Sequence, residues 1–188
     1  LYAAVFHEYL HMMISRGFPI EYFIEGGRSR SGRMLAPRAG ILGMTLRSYL
    51  REQARPLVFV PVYLGYEKLI EGQAFMEELQ GKPKRGESLW ALLGAWRLLR
   101  RKFGQVHVNF GEPLALAEFL DAAHPDWREG GDARADWVRP IIHGAAEELA
   151  RRINAAAVVT PINLVALALL ATPKHTADAQ ALARQIEH

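Results

Sequence analysis

The sequence predicts an α/β fold, a largely parallel sheet remnant with flanking helices plus a C-terminal helical region. Three observations carry that expectation. Residues 20–24, 57–64 and 106–110 are short runs rich in β-branched and aromatic side chains, the composition of strands. More than thirty residues with helical patterning separate each run from the next, and connections of that length join parallel strands. From about residue 115 onward the pattern holds helices and loops only. A boundary near residue 123 then divides the chain into 1–123 and a helical region, 124–188.

In order, residues 1–16 read as an amphipathic helix with Tyr2, Phe6, Tyr9 and Met13 at helical spacing, stopped by Gly17. Residues 20–24 read as a buried strand that ends at Glu25, where Gly26 and Gly27 free the backbone to turn tightly. Residues 40–54 give a second helix with Ile41, Met44, Leu46 and Tyr49 on its apolar faces. The nearly unbroken apolar run 57–64 predicts a central strand covered on both sides. Pro61 has no N–H to donate and marks a bulge or an edge within it. Residues 73–80 predict a short helix, 81–86 an exposed basic loop, and 88–101 a long helix whose stripe includes Trp96, with Trp90 and Trp96 as core. Residues 106–110 form the third strand, and 124–136 a polar, turn-rich linker.

Residues 140–159 then predict a helix with Pro140 in its first turn. Thr160 caps a further helix running to about Ala171, and residues 176–187 form the last one. The apolar run 158–171 is broken by Thr160, Pro161 and Asn163 and is shorter than the ~20 residues a bilayer requires, so it reads as a buried core helix.

A chain of 188 residues can bury a substantial core. Its first residue is Leu1, already inside a helical pattern, which suggests a piece of a longer protein. The absence of cysteine excludes disulfides and thiolate metal sites. The net charge is only +3, yet residues 28–55 hold seven arginines against one acid, Glu52. Such a field suits an anionic substrate, an acidic carrier protein or anionic headgroups. Nucleic acid is disfavoured, since no recognition helix, aromatic ribonucleoprotein motif or zinc knuckle is present.

The sharpest functional signal is the turn after the first strand. Arg28, Arg30 and Arg33, with Ser29 and Ser31 between them, fall where the carboxyl end of a strand opens into a crevice. Planar guanidinium forks there suit a phosphate or a carboxylate. A nucleotide P-loop is a poorer reading of Gly27-x-x-x-x-Gly32, because Arg33 and Met34 replace the required Lys and Ser/Thr. A serine-nucleophile elbow fails too, its second glycine coming one residue late. His107 and Glu112 lie on opposite faces of a strand and make no dyad. Glu67 and Glu112, at the carboxyl ends of the second and third strands, could orient a substrate hydroxyl or an arginine.

The run Phe23-Ile24-Glu25-Gly26-Gly27-Arg28-Ser29-Arg30-Ser31-Gly32-Arg33 resembles the third conserved block of the glycerol-3-phosphate acyltransferases of the bacterial membrane-associated type. Val60-Pro61-Val62-Tyr63-Leu64-Gly65-Tyr66-Glu67 resembles the fourth. Glu87-Ser88-Leu89-Trp90, Val108-Asn109-Phe110-Gly111-Glu112-Pro113 and Arg152-Ile153-Asn154-Ala155-Ala156 add further matches. The resemblance implies a glycerolipid acyltransferase-like fold, with 1–123 as the C-terminal part of the catalytic domain. It implies transfer of a fatty acyl group from acyl-CoA or acyl carrier protein to the 1-hydroxyl of sn-glycerol 3-phosphate, without metal or bound cofactor, peripherally on the cytoplasmic face of the bacterial inner membrane surface. Glu25, Gly26, Arg28, Ser29 and Arg30 fall on the family's substrate-binding positions, and charge and proximity add Arg33. Pro61, Tyr66 and Glu67 would line the pocket. The family's catalytic His-x-x-x-x-Asp block has no counterpart here, so the chain is expected to hold the phosphate-binding half and to be inactive alone.

Two alternatives remain: a non-catalytic module binding phospholipid headgroups or acyl carrier protein, and a zinc hydrolase. The second rests on His7-Glu8-Tyr9-Leu10-His11, which places two imidazoles on one helix face beside a glutamate. The longer metzincin pattern fails at Gly17 and Phe18, only Glu21 or Glu25 is near enough for a third ligand, and the histidine pair reads as helix surface.

Overall fold

The computed structural model describes residues 2–27, 29, 33–53, 55–66, 104–129, 135–172 and 176–187. The expected helices at 73–80 and 88–101, the basic loop between them, and Trp90 and Trp96 lie outside the described residues. The chain forms two compact units, Leu1–Tyr63 with Asn109–Ala156, and Leu64–Val108 with Ala157–His188.

In the first unit, helix α1 (Tyr2–Ser15) packs on α2 (Gly40–Arg51), and α2 packs in turn on α4 (Val138–Ala155). Ten of the fourteen residues of α1 are apolar and they fall on every side of it, so periodicity alone misplaces its inner face. Leu10 is buried and His7, His11 and Ile14 are half-buried with it, while Tyr2 and Tyr9 of the expected stripe are 83% and 53% exposed. On α2 the inner face is unambiguous: Leu42, Leu46, Tyr49 and Leu50 are all buried.

The run 57–64 splits at Val60-Pro61 into β1 (Val58–Phe59) and β2 (Val62–Tyr66), at the residue that cannot donate. β1 pairs antiparallel with β4 (Leu114–Ala115), Val58 opposite Ala115 and Phe59 opposite Leu114. β2 pairs with β3 (Val106–Phe110) in a second two-stranded sheet, and the Gly111 N–H donates to the Pro61 carbonyl at 2.8 Å. The expected parallel sheet is therefore not what the described residues form. A long connection permits parallel pairing without requiring it, and here residues 111–116 run antiparallel past 57–61, from the Gly111 N–H on the Pro61 carbonyl to the Leu116 N–H on the Leu57 carbonyl. The run 57–64 is not covered on both sides either, since Val58, Val60, Val62 and Leu64 are exposed.

Residues 20–24 are a second correction. They carry the alternation of a strand, Tyr22 and Ile24 inward and Phe23 outward, yet join no ladder among the described residues. Side-chain pattern fixes which face points inward, whereas a strand also needs a neighbouring backbone.

The core has two parts. Leu46, Tyr49, Leu50, Leu116, Leu120, Trp127, Val138, Ile141 and Ile142 form one cluster, joining α2 and α4 to α3 (Leu116–Ala123). Trp127 is 1% exposed, on a 3-10 turn (Pro125–Arg128) inside the supposed linker. Its ring lies 5.8 Å from that of Tyr49, and its Nε1–H donates to Asp121 at 2.8 Å. Polar composition hid one anchoring indole. The second cluster gathers Ile24, Leu42, Leu114, Ala145, Ala146 and Leu149, which roots the turn at Glu25 in the packing of α2 and α4.

In the second unit, α5 (Pro161–Ala171) packs on α6 (Ala179–Glu187). The Asn163 side-chain oxygen accepts from both the N–H and the hydroxyl of Thr160, so the expected cap is built. Asp178 caps α6 by accepting from the Ala181 N–H at 2.7 Å. α5 is not the buried helix its composition suggested: Ala168 is buried, but Ile162, Leu164, Leu167 and Leu170 are exposed. Among the described residues no helix is long and apolar enough to cross a membrane.

Candidate functional site

The strand-like run 20–24 ends on Ile24, buried in the second core cluster, so the chain leaves a fixed point when it enters the arginine turn. Gly26 adopts φ +58°, a left-handed conformation that glycine reaches without steric cost. Its N–H donates to the Phe23 carbonyl at 3.1 Å. The chain returns at residues 35–38. There the Arg38 N–H donates to the Ile24 carbonyl at 2.7 Å, and the Leu35 N–H donates to the Glu25 carboxylate at 2.6 Å. The Arg38 side chain lies over Gly26, where an added Cβ would fall 2.9 Å from its Cδ. The segment 26–34 is thus tied at a neck made of Ile24, Glu25, Leu35 and Arg38.

Glu25, Gly26, Ser29 and Arg33 of the expected substrate-binding set fall within this tied segment, Ser29 half-buried and Arg33 exposed. Arg28 and Arg30 lie outside the described residues, as does Glu67. Pro61 is buried against Gly111, and Tyr66, in the other unit, is exposed. Leu35 and Arg38 were not singled out by sequence, because a contact across ten residues leaves no local signature. The paired glycines did signal the tight backbone.

Close to the neck lies a cleft of about 460 Å³ between residues 14–22 and 55–59. Ile14, Phe18, Ile20, Leu57 and Phe59 give it apolar walls, with Arg55, Tyr22 and Thr45 as the polar part of the lining. Burial pushes the Tyr22 phenol up, so it stays neutral at any physiological pH.

Two of the motifs quoted above meet elsewhere in the first unit. Arg152 donates through Nη1 to the carbonyls of Glu112 and Pro113, and the Asn109 side-chain amide donates to the Ala156 carbonyl at 3.0 Å. Gly111 lies against the Arg152 carbonyl. The Asn-x-Gly-x-Pro segment and the end of α4 are therefore halves of one joint that holds the link, 111–113, between β3 and β4.

The histidine motif on α1 is arranged differently from a metal centre. Arg51 donates to Glu8 at 2.7 Å, and that hydrogen bond holds the carboxyl below its ordinary range. A carboxylate so held is a poor general base. His11 Nε2 sits 3.2 Å from Glu52, whose carboxylate also accepts from Ser15. Neither histidine is plain helix surface: His7 Nε2 and His11 Nδ1 are both buried, because this face of α1 meets α2. Among the described residues no three His, Cys, Asp or Glu side chains converge as a metal site needs.

Comparison with known proteins decides the family. Residues 75–188 match the model described as the glycerol-3-phosphate acyltransferase C-terminal region. The chain belongs to that family. It is similar along its whole length to proteins named glycerol-3-phosphate acyltransferase, 52% identical to those of Pseudomonas fluorescens (strain SBW25) and Ectopseudomonas mendocina (strain ymp). Identity to the protein of that name from Pseudomonas syringae pv. tomato is 51%. In each case the alignment covers all of this chain and 23% of the relative, so the chain spans about a quarter of the curated acyltransferases it matches.

Proposed function

We propose that this chain supplies the glycerol-3-phosphate-binding part of a glycerol-3-phosphate 1-O-acyltransferase. The observation that carries the reading is the arginine-bearing turn closed at Glu25 and rooted in the core at Ile24, in a chain half identical to proteins of that name. Arg28, Arg30 and Arg33 hold the substrate phosphate by charged hydrogen bonds, which fixes the 1-hydroxyl near the acyl thioester. A histidine of the His-x-x-x-x-Asp block, outside this chain, takes the hydroxyl proton. The oxygen then attacks the thioester carbonyl, the C–S bond breaks, and the thiolate of coenzyme A or acyl carrier protein leaves with that proton. The cleft beside Tyr22 has walls apolar enough for part of the acyl chain. The reaction runs peripherally at the cytoplasmic face of the inner membrane, where the diffusible substrate meets its lipid product.

The test uses the full-length enzyme. Arg28→Ala and Arg30→Ala should each raise the KM for sn-glycerol 3-phosphate about 10- to 100-fold, since a charged hydrogen bond is worth roughly 1.5–3 kcal/mol. The KM for the acyl donor should not move. Unchanged affinity for sn-glycerol 3-phosphate in the doubly substituted enzyme would overturn the assignment.

A further inference from the structure

We infer that Glu25 acts as a positioning residue, its carboxylate closing the neck of the arginine turn rather than touching substrate. The inference rests on the acyltransferase reading and gives one of its expected substrate-binding residues a different task. The Glu25 carboxylate accepts from the main-chain N–H of Leu35 at 2.6 Å, ten residues along the chain. It stands directly after Ile24, whose own carbonyl accepts from the Arg38 N–H at 2.7 Å. These two bonds tie residues 24 and 25 to residues 35 and 38, the start of the segment to its end. Beside them Gly26 holds a left-handed conformation with the Arg38 side chain packed over it. Glutamate has the reach for this task. Aspartate, one methylene shorter, leaves a gap at Leu35, and glutamine keeps both the reach and one acceptor oxygen while losing the charge.

A carboxylate in that role acts on phosphate affinity through geometry. Loosening the neck leaves a smaller fraction of molecules ready to bind, and the apparent affinity falls in that proportion. The chemical step, carried by groups elsewhere, is spared.

The experiment measures kcat and KM of the full-length enzyme with Glu25→Gln, Glu25→Asp, Glu25→Ala and Leu35→Pro, the last removing the donor. Glu25→Gln should raise the KM for sn-glycerol 3-phosphate about fivefold, the worth of charge assistance in one hydrogen bond, with kcat within about twofold. Glu25→Asp and Glu25→Ala should raise it about 30-fold or more. Glu25→Ala combined with Leu35→Pro should be no worse than the poorer single variant, because both break the same bond. Thermal melting of each variant separates loss of fold from loss of positioning. If Leu35→Pro does not fold, the Gln-against-Asp comparison decides alone. A kcat collapse in Glu25→Gln with KM unchanged would put the carboxylate in the chemistry and overturn the inference. Fully additive losses in the double variant would overturn it as well. Either result leaves the acyltransferase reading standing, whereas absence of transfer to sn-glycerol 3-phosphate by the unsubstituted enzyme would overturn that reading itself.

Discussion

A methyl group at Gly111 has nowhere to go. Its Cβ would fall 2.9 Å from the Arg152 carbonyl oxygen and 3.2 Å from Pro61 Cβ, and both neighbours are held. Arg152 is the last-turn residue of α4, anchored to Glu148 at 2.7 Å, and Pro61 accepts the Gly111 N–H. Backbone cannot step aside as a flexible side chain can, so Gly111→Ala should cost about 1–3 kcal/mol, the usual range for overpacking. Gly27, with no atom of the described residues within 4 Å of its would-be Cβ, is the control. Thermal melting of the two alanine variants should show a fall for Gly111→Ala and little change for Gly27→Ala; equal shifts would contradict this account. Which glycines matter was partly legible beforehand. The pair after Glu25 declared a tight turn, and Gly26 proves to be the left-handed member. Gly111 needed the structure, because its constraint comes from a helix about forty residues away. The same holds for Glu25, whose partner at Leu35 no spacing rule marks.

At the level of elements, the described helices α1, α2, α4, α5 and α6 were legible and pairings were not. Helix ends follow local chemistry, so Thr160 and Pro161 announced the start of α5, and Pro61 announced the break between β1 and β2. Sheet order depends on which backbones meet across long loops, and strand-like composition at 20–24 and 57–64 carried no information about that. α4 shows an element held at its end by charge. Glu148 accepts from Arg151 and from Arg152, and those bonds bring its carboxyl down from 4.5 to about 2. A carboxyl whose pKa is depressed on folding adds stability that is complete above its unfolded value and is lost as pH falls toward the folded one. The Glu148 contribution should therefore be full at neutral pH and fade between about pH 4.5 and 2. It is modest, because Glu148 and Arg151 are partly open to solvent. Urea midpoints of the chain and of Glu148→Gln, followed by tryptophan fluorescence in dilute solution, should differ near pH 7 and converge toward pH 2. A gap that stays constant with pH would show that the carboxylate does not contribute through its charge.

At the scale of the whole molecule, each unit leaves apolar surface that its own packing does not cover. In the first, Tyr2, Val5 and Tyr9 on α1 and Phe23 beside the neck are exposed, Phe23 by 74%. In the second, Ile162, Leu167 and Leu170 line the outer side of α5, and Val106 and Val108 stand open on β3. Scattered apolar residues are normal on a surface, but such runs along single elements mark faces that pack against something. In the curated relatives the matching segment is 23% of the length, so there it has more than three times its own mass of polypeptide available as a cover. We predict that the isolated 188-residue chain associates as its concentration rises, because exposed strand edges and helix faces find copies of themselves. Polar substitution on α5, Leu167→Gln with Leu170→Gln, should reduce association without lowering the melting temperature, since both side chains already face solvent. Light scattering over a concentration series, with and without those changes, checks it. A chain that remains monomeric and melts cooperatively would show that these faces are tolerated in water, and the case for a covering partner would fall with it.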